Sequence, residues 1–447
     1  MKLSRLLIAA VVLAGLSAAL WWSNKKEDEK AKKPAESTAP QIVAIRGETV
    51  TGLEIKKRSG EDTVLTKDGS GVWTITAPKP YPADQSAVNL VVTGVGALTG
   101  DRLIDENAMD LTGYGLSPAA VEVDFKMKDG KTRTLLIGDA NPSGTAVYAK
   151  MADEGKLYTM SSSSKTSFDK ETKDLRDKRL LTFDQDKATR VELTAKKETI
   201  EFGRINQTDW QVVKPKPYRA DGFAVEEVVR KLKEANMDLS VAEEDAKKAA
   251  ASFASATPVA TVKFTDPGGV QSIEIRKVKD DYYAKSSVVD GVHKVSKDLG
   301  TGVDKSLDDF RNKKVFDFGF SDPTRVDFKD GTRMASYSKS GDKWTANGKT
   351  MDSGTVQALV DKLRDLSAAT FVETGFTTPQ VEITVVSDSG KRTEKVQLAP
   401  AEGGKFIARR ENEAAMYLLD GNAVAEMRGV AADVKEESAK PAGSKKK

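Results

Sequence analysis

The chain has no cysteine among its 447 residues and a single histidine, His293. The first absence excludes disulfides, thiolate metal sites and a cysteine nucleophile. The second excludes metal centres built on paired histidines. Charge of one sign is also missing: 70 basic against 67 acidic residues leave a formal net charge of +3. Such a balance supplies no basic face of the kind nucleic acid demands, so nucleic acid is not an expected partner. Hydrophobic content of 39% over this length fills more than one core.

What the sequence has is repetition. Trp73, Trp210 and Trp344 stand 137 and then 134 positions apart. Each closes a strand-like segment that begins at Leu53, Val191 or Val326, and each is followed by an Asp (Asp84, Asp221, Asp352) and an apolar pattern of helical spacing. The first two copies share Pro78-Lys79-Pro80-Tyr81 and Pro215-Lys216-Pro217-Tyr218. Farther on come Tyr148-Ala149-Lys150, Tyr283-Ala284-Lys285 and Ile407-Ala408-Arg409. Copies one and two close with Leu175-Arg176-Asp177-Lys178 and Phe310-Arg311-Asn312-Lys313; in the third this shrinks to Met427-Arg428. Agreement in order at this many offsets indicates triplication.

Within a copy, Val121-Glu122-Val123-Asp124-Phe125 alternates with period two and Asp129-Gly130 follows as a hairpin turn. After each Asp the spacing turns helical, as in Val225, Val228, Val229 and Leu232. The expected class is α+β: three tandem units of antiparallel strands plus helices at residues 43–187, 188–322 and 323–430. An N-terminal transmembrane helix is expected at 1–23, a flexible charged linker at 24–42 and a disordered basic tail at 431–447.

Leu6 to Trp22 is an uncharged run whose 17 residues reach roughly 26 Å as a helix, the short end of a bilayer span. Trp21-Trp22 suits the interfacial belt. A cleaved signal peptide is the rival reading, but a cut near Ala19 would leave Leu20-Trp21-Trp22 exposed. The basic flank at Lys25, Lys26 and Lys30 argues for the opposite orientation, yet a short basic start before an apolar run has the shape of an export signal. The expectation is a single-pass inner-membrane protein, inserted through Leu6 to Trp22, with its bulk in the periplasm.

Chemistry is thinner. Asp84, Asp221 and Asp352 sit where helix N-caps belong, and the tryptophans where core rings belong. His293 occupies the slot at which the sibling copies place Tyr158 and Tyr417, which favours packing over general-base work. Gly138-Asp139 with Asn141-Pro142-Ser143-Gly144 lacks the Lys and glycine spacing of a phosphate loop and reads as a turn. Ser161 to Ser164 reads as a polar turn, without the glycines of a nucleophile elbow. The most arguable ligand-binding set is Arg176, Arg311 and Arg428 with Lys178 and Lys313, since Arg can grip an anion bidentately. The competing role is to place cations at the negative end of a helix. No catalytic, cofactor or metal residues are assigned, and an enzyme is not expected.

The run Leu111-Thr112-Gly113-Tyr114-Gly115-Leu116-Ser117-Pro118 resembles the signature of the bacterial domain of unknown function 4340 family. So do Ile137-Gly138 with Pro142, Gly144 and Tyr148, and Leu175-Arg176-Asp177-Lys178. The resemblance covers copies one and two, and weakens in the third, where Gly375-Phe376-Thr377-Thr378-Pro379 departs from the form. It implies a membrane-anchored extracytoplasmic protein, often encoded beside ABC transporters of the gliding-motility type. The expected function is a non-catalytic accessory subunit of an ABC-type transport or envelope complex. The alternatives are an envelope-polymer binding module, marked by exposed aromatics such as Tyr81 and Tyr218, and a carboxylate-based hydrolase.

Overall fold

The computed structural model describes residues 41–43, 45–206, 209–321 and 323–438. The expected anchor, nearly all of the linker and the end of the tail lie outside these residues. No helix among the described residues is long and apolar enough to cross a membrane, and Leu6 to Trp22 is not among them.

The chain divides into two compact units, one ending at Asp177 and one running on from Lys178. The first holds a nine-stranded sheet with every pairing antiparallel. From edge to edge its strands are Tyr81–Pro82, Trp73–Ala77, Thr63–Lys67, Val50–Lys57, Val121–Met127, Thr132–Ala140, Ala146–Met151, Leu157–Ser161 and Arg102–Asp105. The second unit holds two sheets on the same plan. One runs from Tyr218–Arg219 through Trp210–Lys214 and Arg190–Ala195 to His293–Val295 in eight strands. The other runs from Lys349–Thr350 through Lys343–Ala346 and Arg325–Asp330 to Met416–Leu419 and Thr370–Val372 in nine.

The three sheets agree in register as well as in order. Ala149 pairs with Tyr158, Ala284 with His293 and Ala408 with Tyr417. Trp73, Trp210 and Trp344 all lie on the strand two places out from the one that starts each copy, and all are buried. Strand formation follows from period-two patterning: in Val381–Ser387 every second side chain is buried.

One helix covers each core, at Gln85–Gly96, Gly222–Lys233 and Ser353–Asp365. The buried residues repeat the same spacing: Val88, Val91, Val92, Val95; Val225, Val228, Val229, Leu232; Val356, Leu359, Val360, Leu363. Each such side chain contributes about 1.5–3 kcal/mol, against about 1 kcal/mol for a cap, so the apolar stripe dominates. The caps nevertheless form as expected. Asp84 accepts from Ser86 and Ala87 N, Asp221 from Phe223 and Ala224 N, and Asp352 from Gly354 and Thr355 N. A second helix follows the last long hairpin of each copy, at Ser162–Phe168, Lys297–Val303 and Gly421–Ala432. The first of these replaces the polar turn expected at Ser161–Ser164: Ser161 caps the helix, accepting from Ser164 N at 3.1 Å.

The same backbone hydrogen bonds open and close every copy. Ile42 N donates to Leu98 O, Leu180 N to Ala235 O and Val315 N to Leu366 O. At the close, Asp84 N donates to Leu175 O, Asp221 N to Phe310 O and Asp352 N to Lys435 O. One residue pair on, Asp177 N donates to Pro82 O, Asn312 N to Arg219 O and Glu437 N to Thr350 O. The tail expected to be disordered from residue 431 is therefore corrected: Ala431 is buried in the third core, and residues 435–437 complete that sheet's closure. Residues 439–447 lie outside the described set.

Candidate functional site

The closing bridge is where the recurring cations gather. Arg176 bridges Ala83, and its Cζ lies 4.0 Å from the centre of the Tyr81 ring. Arg311 bridges Ala220 and lies 4.2 Å from the Tyr218 ring. A guanidinium flat on a ring gains cation–π energy while shedding little hydration. Burial pulls the Arg176 pKa below its ordinary value, with the nearby Tyr81 acting in the opposite sense. Arg311 is more enclosed, at 5% exposure; its Cζ also lies 3.6 Å from the centre of the Phe371 ring, and Asp308 is 3.3 Å from Nη1. Nε of both arginines is buried without a hydrogen-bond partner. Tyr81 and Tyr218, the aromatics a polymer-binding groove would expose, are thus each covered by a guanidinium.

Arg428 does not belong with them. It lies on the helix Gly421–Ala432, eight positions after the N-cap Asp420, where the sibling helices have Asp169 and Asp304 after the N-caps Ser161 and Ser296. It pairs with Asp330 at 3.0 Å. Lys57, at the same place in its own sheet as Asp330, pairs with Asp169 at 2.9 Å. The two copies thus carry one strap with its polarity reversed. Burial raises the Asp169 pKa, but the hydrogen bond and charge of Lys57, with help from Lys165, outweigh it and hold the group below the usual carboxylate range.

The third-copy counterpart of Arg176 and Arg311 is Glu436, which bridges Met351 and pairs with Lys349 at 2.6 Å. Lys178 and Lys313 act through their backbones, their carbonyls accepting from Met237 N and Ala368 N at 2.8 Å.

A polar cluster missed by sequence reading lies in the second unit, between its two sheets. Arg219 Nη2 donates to Tyr417 Oη at 2.9 Å and to Lys314 O. Its Nε stands 3.1 Å from Glu413 and its Nη1 3.5 Å from Asp317, within ion-pair reach but without hydrogen-bond alignment. Burial lowers the Arg219 pKa, but Tyr417, Glu413 and Asp317 overcome it and the net direction is upward. Tyr417 is pushed up by burial, against the pull of Arg219. Behind them Arg410 donates to Glu394 at 2.9 Å and Glu413 at 2.6 Å, and both Arg410 and Glu394 are buried. The signal that could have found this cluster is Arg219 itself, which stands where the other copies have Pro82 and Thr350.

The Leu111–Pro118 run has a structural account. Gly115 adopts φ 65° and a Cβ there would meet Asp139 at 2.2 Å; a Cβ on Gly138 would meet Tyr114 O at 2.2 Å. Arg58 ties the loop down, pairing with Asp139 and donating to the Gly115 and Pro118 carbonyls. Tyr114 packs edge-on to Tyr148. His293 donates from Nε2 to Asp290 O at 2.8 Å. A shallow cleft near it is lined by Asp238, Asp281, Tyr282, Lys294, Ser296 and Lys297. There the hydrogen bond from Lys294 to Asp281 raises the lysine pKa. Among the described residues no three His, Asp or Glu side chains stand together as metal ligands.

The chain belongs to the DUF4340 family, a domain of unknown function, whose model matches residues 73–209 and 210–382. The two matches begin at Trp73 and Trp210, the landmarks of the first and second copies, and the second runs on into the third sheet. No curated protein matches the chain.

Proposed function

We propose that the protein is a non-catalytic interaction subunit, held at the inner membrane by residues 1–23 with its body on the extracytoplasmic side, and that it serves an ABC-type transport or envelope complex as an accessory. The observation that carries this reading is where the recurring residues go. Trp73, Trp210 and Trp344 fill cores, the three aspartates cap helices, and Arg176 and Arg311 stack on tyrosines. What remains outward is broad polar sheet surface. Opposite the core-facing Leu53 and Ile55, Lys56 pairs with Glu122; on the second sheet Glu192 joins Arg190 and Lys263; on the third Lys329 joins Glu382. Wide surfaces of balanced charge suit recognition of a protein partner, where complementarity sets specificity more than affinity.

The test is purification of the full chain from membranes in mild detergent through a C-terminal tag. A membrane protein should be recovered with it in reproducible ratio. Recovery of the protein alone, including after crosslinking, counts against the reading.

A further inference from the structure

Tyr218 and Arg311 form the same stack as Tyr81 and Arg176, and in the second unit its covering is visible. Phe371, central in the edge strand Thr370–Val372 of the third sheet, has its ring centre 3.6 Å from Arg311 Cζ. Tyr218 packs against the cores of both sheets of that unit.

At the matching place on the third sheet the backbone is unchanged. Met351 bridges Glu436, and Glu437 N donates to Thr350 O at 2.9 Å. The side chains, however, have changed together. Lys349 stands for the tyrosine and Glu436 for the arginine, 2.6 Å apart, with 63% and 56% of their side chains exposed. A ring and a weakly hydrated planar cation can be covered by a third ring. A lysine–glutamate pair cannot be covered in the same way, because burial strips hydration that the pair's attraction does not restore.

We propose that this position is the docking switch of the repeat array. The Tyr218–Arg311 pair accepts the edge strand Thr370–Val372, with Phe371 at its centre. The Lys349–Glu436 pair, at the matching place on the third sheet, refuses such a strand. This switch is independent of the accessory role proposed for the whole protein.

Transplanting the Lys–Glu pair into the joint between the second and third sheets, Tyr218→Lys with Arg311→Glu in the full chain, tests this by amide hydrogen exchange. Exchange in the flanking edge strands Tyr218–Arg219 and Thr370–Val372 should rise about tenfold or more, while the central strands Arg190–Ala195 and Val381–Ser387 keep their protection. Phe371→Ala, which removes the covering ring and leaves the stack, should give the same local rise. Unchanged exchange at the joint in either variant overturns the proposal. Equal loss in the central strands also overturns it, because the pair would then hold its own sheet together rather than dock the next.

Discussion

Glycine is the residue whose role is most sharply defined in this protein. Gly138 lies on a strand, yet a methyl group there would sit 2.2 Å from Tyr114 O, a backbone atom that cannot swing aside. Gly138→Ala should therefore destabilise the first unit by about 1–3 kcal/mol, the usual cost of overpacking, read as a lowered urea midpoint with unchanged slope. His293 is the opposite case. It sits half-exposed in the pairing position that Tyr158 and Tyr417 hold in the sibling sheets. His293→Tyr should shift stability by less than about 1 kcal/mol and leave partner recovery unaltered. A folded His293→Tyr protein that loses its partner would assign the imidazole a chemical role.

At the scale of elements, the strap between the starting strand and the second helix of the first and third copies is the informative feature. Lys57–Asp169 and Asp330–Arg428 are one contact with exchanged signs. Each is partly screened by water, so about 1 kcal/mol of coupling is expected. Asp330→Lys combined with Arg428→Asp should recover most of the stability that either change alone loses, as a double-mutant cycle would show. Acid adds a second test. Because Asp169 is held below the usual carboxylate range, its contribution is present above that range and disappears as the pH falls through the lowered value. The stability gap between wild type and Asp169→Asn should narrow on acidification, and a gap that widens would contradict the assignment.

Sequence reading reached these elements unevenly. The strands and long helices were legible because burial enforces periods of two and 3.6, visible in Val121–Phe125 and Val225–Leu232. The closing bridge was legible in two copies, since Leu175-Arg176 and Phe310-Arg311 keep their types. It was lost in the third because Lys349 and Glu436 replaced both stacking partners while the backbone hydrogen bonds stayed. Arg428 shares the residue type of Arg176 and Arg311 but belongs to the reversed strap. The Arg219 cluster escaped for a different reason: it joins two copies, and contacts between copies leave no period in the chain.

At the scale of the whole molecule, the recurring arginines separate a ligand-binding role from a structural one. Bidentate capture of an anion would need open guanidinium edges, whereas Arg176 and Arg311 lie 4.0 and 4.2 Å over the Tyr81 and Tyr218 rings and Arg311 is only 5% exposed. These contacts support a structural role for the two arginines. The most direct measurement is partner recovery after in-cell crosslinking, compared with the folded fraction, for wild type, Arg176→Lys and Arg311→Lys in the full chain. Lysine keeps the charge but not the planar stack. Recovery should fall only in proportion to the folded fraction. A variant that stays fully folded yet loses its partner would place a ligand site at these arginines and contradict their structural role.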